Sequence, residues 1–97
     1  MLQERILVIR LLDAIIHNIF MDLAQKIEAI LFWKAEPVPV KKLAGLLNES
    51  VGAIRQGIEQ LEQNLKGRGV ALVQTDDEVM LGTAKELSPL IEQLTKD

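Results

Sequence analysis

The chain predicts a mostly α, α+β domain: a winged helix-turn-helix with a small β-hairpin wing, preceded by an extra apolar helix. Three observations carry this. Residues 27–47, IEAILFWKAEPVPVKKLAGLL, read as a helix halted at a proline-bounded extended step and followed by a short second helix. Val51, Ile54, Ile58, Leu61 and Leu65 then recur at three- and four-residue spacing, the stripe of an amphipathic third helix. Two apolar runs separated by Asp76-Asp77 complete a hairpin.

With 97 residues the chain holds one modest core. Apolar residues make up 48% of it and aromatics 3%, so that core is built from Leu, Ile and Val. The chain has no cysteine, which excludes disulfides, thiolate metal sites and a Cys nucleophile. A formal charge of −3 and a pI near 5.1 provide no overall attraction to nucleic acid or to anionic lipid.

Residues 1–20 stand apart as an apolar helical leader. Between Ile6 and Phe20 only Arg10, Asp13, His17 and Asn18 are polar. Gln3, Arg10, Asp13 and His17 share one narrow stripe at helical spacing, and the remaining surface is Leu and Ile almost all round. Three ionisable groups interrupt a run too short to span a bilayer, and no small-residue cleavage motif follows, so no membrane role is expected. The leader reads either as a partner-seeking or core-capping helix or as a non-native extension ahead of a start at Met21. The domain proper is placed at residues 21–97.

Asp22 is the expected N-cap of the first helix, with Leu23, Ile27, Ile30 and Leu31 on its core face. Phe32 and Trp33 close it, a bulky pair that cannot both enter one small core. Pro37 and Pro39 enforce extended geometry around Val38. Residues 41–47 carry Leu43, Leu46 and Leu47 at helical spacing, and Ser50 caps the third helix. Gly52 and Gly57 each weaken that helix by roughly 1 kcal/mol, so packing must hold it, and Gly67 and Gly69 end it. Residues 70–76 and 78–83 read as strands joined at Asp76-Asp77, residues that tolerate left-handed geometry in a tight turn. Residues 85–96 give a last helix with Ser88 as its cap, Pro89 in its first turn, and Leu87, Leu90, Ile91 and Leu94 facing inward.

Ile27-Glu28-Ala29-Ile30-Leu31-Phe32, then Glu36-Pro37-Val38, then Leu43-Ala44 with Leu46-Leu47, form a pattern over about residues 21–97. Ile54, Ile58 and Leu61 of the next helix and the strand pair around residues 70–81 extend it. It resembles the amino-terminal domain of segregation and condensation protein B (ScpB), the accessory subunit of bacterial SMC–kleisin complexes. Pro39 and Trp33 depart from the residues usual in that family, and residues 1–20 have no counterpart in it. The resemblance implies a non-enzymatic, cytoplasmic and nucleoid-associated subunit acting in chromosome condensation and segregation. Such a subunit pairs with itself, binds the kleisin ScpA and, through it, SMC, which hydrolyses the ATP.

Catalytic, metal and cofactor sites are not expected. The single histidine, His17, has Asp13 one turn away, but neither a nucleophile nor a Gly-rich loop accompanies the pair. Asp76, Asp77 and Glu78 lack the Gly-punctuated frame of a calcium loop and read as a solvated turn tip. Gly67-Arg68-Gly69 follows a helix instead of preceding one, so it does not cradle phosphate.

The fold invites DNA binding as a winged-helix transcription regulator, and the charges oppose it. The exposed face of the third helix balances Arg55 and Lys66 against Glu59 and Glu62, which can pair at four-residue spacing. A wing tip with three successive acids would repel phosphates. Lys41 and Lys42, with Lys34 nearby in sequence, are only a small basic spot. No specific DNA readout is expected. Protein binding fits better: Phe32, Trp33, Leu87, Leu90 and Leu94 are the candidate interface, including that of a homodimer. The bland alternative puts Phe32 in the core and packs Trp33 over the EPVPV step.

Overall fold

Each helix starts and stops where the local chemistry of the chain requires. The computed structural model describes residues 22–96, together with Val8 and residues 10–12. The first helix, α1 (Leu23–Lys34), begins with a reciprocal capping box. The Asp22 carboxylate accepts from the Gln25 backbone N–H at 2.8 Å, and the Gln25 side chain accepts from the Asp22 N–H at 3.1 Å. Ala24, Ile27 and Leu31, one stripe of the helix, are buried; Leu23 and Ile30 are only half-buried beside them. The helix ends in Ala35, whose φ of 54° is left-handed and whose N–H bonds to the Leu31 carbonyl.

Pro37 keeps Glu36 out of helical geometry, and Val38–Pro39 forms a two-residue strand, β1. Helix α2 (Val40–Leu47) starts one residue earlier than its sequence pattern suggests and stops at Asn48, again left-handed at φ 54°. Ser50 then caps α3 (Val51–Asn64) through its hydroxyl, which accepts from Ala53 N–H at 3.1 Å. Ile54, Ile58 and Leu61 carry the stripe into the core, whereas Val51 at its N-terminal end and Leu46 on α2 are exposed.

Strands β2 (Val70–Gln74) and β3 (Glu78–Thr83) form the wing, in a sheet ordered β1-β3-β2 and antiparallel throughout. Leu72 pairs with Leu81, and Val79 pairs with both Val38 and Gln74. Strand β2 ends two residues short of the expected boundary. The turn is also not the left-handed type expected: among the described non-glycine residues only Ala35 and Asn48 have positive φ. The Thr75 hydroxyl takes the Glu78 N–H at 3.1 Å and so closes the turn without left-handed residues. The core is aliphatic: Ile27, Leu31, Val38, Leu43, Ile54, Leu61 and Val79 are fully buried where the helices meet the sheet.

The chain ends in a single 3₁₀ turn (Lys85–Leu87) followed by α4 (Ser88–Thr95). Ser88 is not a cap. The preceding 3₁₀ turn points its hydroxyl backwards, where it donates to the Lys85 carbonyl at 2.8 Å. Nor do Leu87, Leu90 and Leu94 face inward: they are 37%, 49% and 60% exposed, and no residue of α4 is buried. The core is already filled by α1, α2, α3 and the sheet. Within the leader, Val8, Leu11 and Leu12 are helical and exposed. The rest of the leader, with the Asp13–His17 stripe, lies outside the described residues.

Candidate protein interface

The apolar surface that folding leaves uncovered follows from helix geometry. Successive residues of an α-helix are about 100° apart, so a stripe through Ala24, Ile27 and Leu31 turns Phe32 to the edge of the core face and Trp33 well beyond it. Phe32 is 79% exposed and Trp33 76%. Phe32 is therefore not a core residue, and Trp33 is not sealed over the EPVPV step. The Lys34 ammonium sits over the Trp33 ring at 5.3 Å from its centroid, a cation–π contact that leaves the indole accessible.

Phe32 lines an open groove of about 810 Å³. One wall is α1, presenting Gln25, Glu28, Ala29 and Phe32; the other is the exit from α3, with Asn64, Leu65, Arg68 and Gly69. Val70 and Leu81 of the wing complete it. Gly69 is also where the last helix arrives. A β-carbon there would lie 3.7 Å from Leu87 Cδ1, and the Gly69 carbonyl accepts from Ala84 N–H at 2.8 Å. Leu87 thus lies beside Gly69, at the end of the 3₁₀ turn, and Leu90 and Leu94 follow it on α4; none of the three is part of the groove lining. Trp33 is not part of the lining. Sequence reasoning missed the walls. Leu65 reads as core and Gly69 only as a helix stop, and neither pattern reveals that they face α1.

The surface that would read DNA is used internally. Arg55, on the outer face of α3, donates to the Asp76 carbonyl at 3.3 Å, and the Gln74 amide donates to Glu62 at 3.2 Å. The Asp77 carbonyl accepts from Val40 N–H at 2.8 Å. The wing is therefore strapped to both helices of the helix-turn-helix. Among the described residues, no cluster of His, Cys, Asp or Glu is arranged to hold a metal ion, and no polar side chain is buried. No described helix is long and apolar enough to cross a membrane.

These features define a winged-helix domain with accessible apolar side chains on α1 and α4 and an open groove framed by α1, the α3 exit and the wing. Residues 25–97 match the family of the segregation and condensation complex subunit ScpB, and the chain belongs to that family. It is similar to segregation and condensation protein B of Carboxydothermus hydrogenoformans, 35% identical over 77 residues that cover 77% of this chain and 42% of that protein. The chain thus spans less than half the length of that relative. The crystal structure of a dimer of the ScpB N-terminal domain complexed with a ScpA peptide shares the fold with a TM-score of 0.65. The two are 28% identical, over 73% of this chain and 91% of that one.

Proposed function

We propose that the chain is a non-enzymatic accessory module of a bacterial SMC–kleisin complex. It pairs with itself, binds a ScpA-type kleisin segment and, through it, SMC, in chromosome condensation and segregation in the cytoplasm at the nucleoid. The observation that carries this reading is the structural neighbour: a domain of the same fold that is itself a dimer holding a ScpA peptide. Support comes from the exposed aromatic and leucine side chains, Phe32 and Trp33 on α1 and Leu90 and Leu94 on α4. Phe32, Leu87, Leu90 and Leu94 serve self-association, and Trp33, set apart on α1, anchors the kleisin. We take residues 21–97 as the working unit, a choice supported by the core, since every buried residue among those described falls within it.

The test is titration of a ScpA-type kleisin fragment into the chain, alongside a duplex-DNA titration at several salt concentrations. Saturable kleisin binding that changes little with salt supports the module. DNA binding with a steep salt slope and no kleisin binding would identify a transcription regulator instead.

A further inference from the structure

We infer that two copies join along the edges of their wings: β2 of one pairs antiparallel with β2 of the other, centred on Leu72, so that the two sheets become one. This contact is separate from the α1 and α4 surface assigned to self-association and does not rest on it. Strand β2 is an outer strand of the sheet. Two bonds beyond its ends fix the direction of its backbone groups. Ala84 N–H donates to the Gly69 carbonyl at 2.8 Å and Thr75 N–H to the Glu78 carbonyl at 2.9 Å, both in the register that pairs Leu72 with Leu81. Bonded and non-bonded pairs alternate along an antiparallel ladder. Ala71 and Val73 therefore also bond to β3, and Val70, Leu72 and Gln74 turn N–H and C=O outward. Among the described residues, no backbone group outside the sheet bonds to them. Open edges are usually blunted by a charge, a proline or a bulge. Strand β2 has neither charge nor proline, and its register against β3 is unbroken.

A second copy is the occupant because this edge is its own complement. A two-fold axis makes the pairing antiparallel, and the register centred on Leu72 sets Val70 against Gln74, Leu72 against Leu72 and Gln74 against Val70. Every outward group of both strands is then matched, two bonds to a pair. Leu72 packs towards the core, so Val73, 49% exposed, lies on the opposite face and meets the partner's Ala71. The flanks of the strand carry opposite charges. Lys66 and Arg68 precede it and Asp76, Asp77 and Glu78 follow it, all exposed. The same register brings Arg68 to the partner's Asp76 and Lys66 to the partner's Glu78 at both ends of the contact. The Asp76 carboxylate is available, since Arg55 bonds to its carbonyl. A parallel pairing would set like charges together, and a neutral extended segment on the same edge would leave both charged flanks without a counterpart.

The experiment is sedimentation equilibrium of the full chain at about 50 mM and about 500 mM salt, since contacts between exposed charges weaken as the Debye length shrinks. Gln74→Pro removes an outward N–H and leaves the bonds to β3 in place, while Gln74→Ala controls for the side-chain bond to Glu62. Arg68→Glu and Asp76→Arg each set like charges together across the two-fold axis, whereas a mixture of the two variants restores opposite charges at both ends. Circular dichroism checks that every variant is folded. Wild type and Gln74→Ala should assemble past the dimer at low salt, by a step that weakens at least tenfold at high salt. Gln74→Pro and each charge variant alone should weaken that step at least tenfold, and the mixture should regain it. Wild type that stops at a salt-insensitive dimer overturns the edge contact and leaves self-association through α1 and α4 standing. A dimer found only at low salt and lost in Arg68→Glu supports the edge contact and removes the α1 and α4 one. A monomer under every condition overturns both. A step that Gln74→Pro retains, or a mixture that associates no better than its components, shows that β2 is not the contact. If Gln74→Pro abolishes kleisin binding and leaves assembly unchanged, the edge belongs to the kleisin and the pairing is wrong.

Discussion

Gly57→Ala and Gly45→Ala are the same chemical change in two helices, and the structure gives them opposite signs. Alanine is more favourable than glycine in a helix by about 1 kcal/mol. At Gly45, on α2, nothing lies within 4 Å of the added methyl, so most of that gain should appear as stability. Gly57 is buried where α3 crosses α1, and its methyl would stand 2.8 Å from Ile27 Cδ1 and 3.1 Å from Leu23 Cγ. Leu23 is half-buried and able to yield. Ile27 is 0% exposed and enclosed on every side, so its Cδ1 moves only if the two helices separate. Overpacking of this kind costs about 1–3 kcal/mol, which exceeds the propensity gain and leaves a net loss of about 0–2 kcal/mol. For a domain of this size about 1 kcal/mol moves Tm by roughly 4–8 °C. Thermal and urea melts should therefore raise Gly45→Ala by several degrees and lower Gly57→Ala by a comparable amount. Ile27→Val, which deletes the clashing Cδ1, should cost less stability in the Gly57→Ala background than in wild type. If Gly57→Ala stabilises as much as Gly45→Ala, the helices do not cross as closely as the contact implies.

Ala35→Gly should stabilise by about 0.5–1 kcal/mol, because an L-residue in left-handed geometry carries a penalty that glycine escapes; an unchanged urea midpoint would show that Ala35 relaxes out of that conformation. Asp76→Asn with Asp77→Gly, a pair suited to left-handed hairpin turns, should destabilise slightly, by about 0.5–1 kcal/mol, since the turn uses Thr75 and negative φ instead. A rise in melting temperature would mean the turn is the left-handed type after all. Trp33 is the only tryptophan, so its emission reports on one place. It should shift to the blue when a ScpA-type segment binds and stay fixed as protein concentration alone rises, and Trp33→Ala should weaken kleisin binding about 30-fold, the scale of an interface hot spot. Emission unmoved by a bound kleisin would remove Trp33 from that contact.

The order of elements was legible because each boundary is made by a residue acting locally. Asp22 and Ser50 accept from the first turn of their helices, and Pro37 and Pro39 forbid helix between α1 and α2. Ala35 and Asn48 were not legible as left-handed stops. Nothing about an alanine announces positive φ, and the bond from Ala35 N–H to the Leu31 carbonyl is the ordinary helical one, which no sequence pattern distinguishes. The last helix shows the limit of periodicity. Leucines three and four apart state that a face requires cover, not which surface supplies it; the inward orientation fails for Leu87, Leu90 and Leu94, while Ile91 is half-buried. Phe32 and Trp33 were legible as a pair that one core cannot take together. The groove was not, since it joins residues of α1 to Leu65 and Gly69 through tertiary packing alone.

The straps on the wing explain how a helix-turn-helix is compatible with a chain so poor in phosphate contacts. A wing that grips DNA must leave its tip free, and the helix beside it must offer cations to the backbone. Here the two needs are defeated by the same bonds. Arg55, one of two cations between Ser50 and Lys66, spends its guanidinium on the Asp76 carbonyl, which holds the acidic tip against α3. The Asp77 carbonyl meets the first N–H of α2, and Gln74 ties Glu62 to the edge strand. Each bond that stiffens the domain thus occupies a group that DNA would have needed. The stiffening also bears on the groove, which is lined by α1, the α3 exit, β2 and β3: a wing fixed to α3 holds the α3 and wing sides in place relative to each other. A segment that docks against those sides meets a surface already set in shape, and little of the free energy of docking is lost to ordering them.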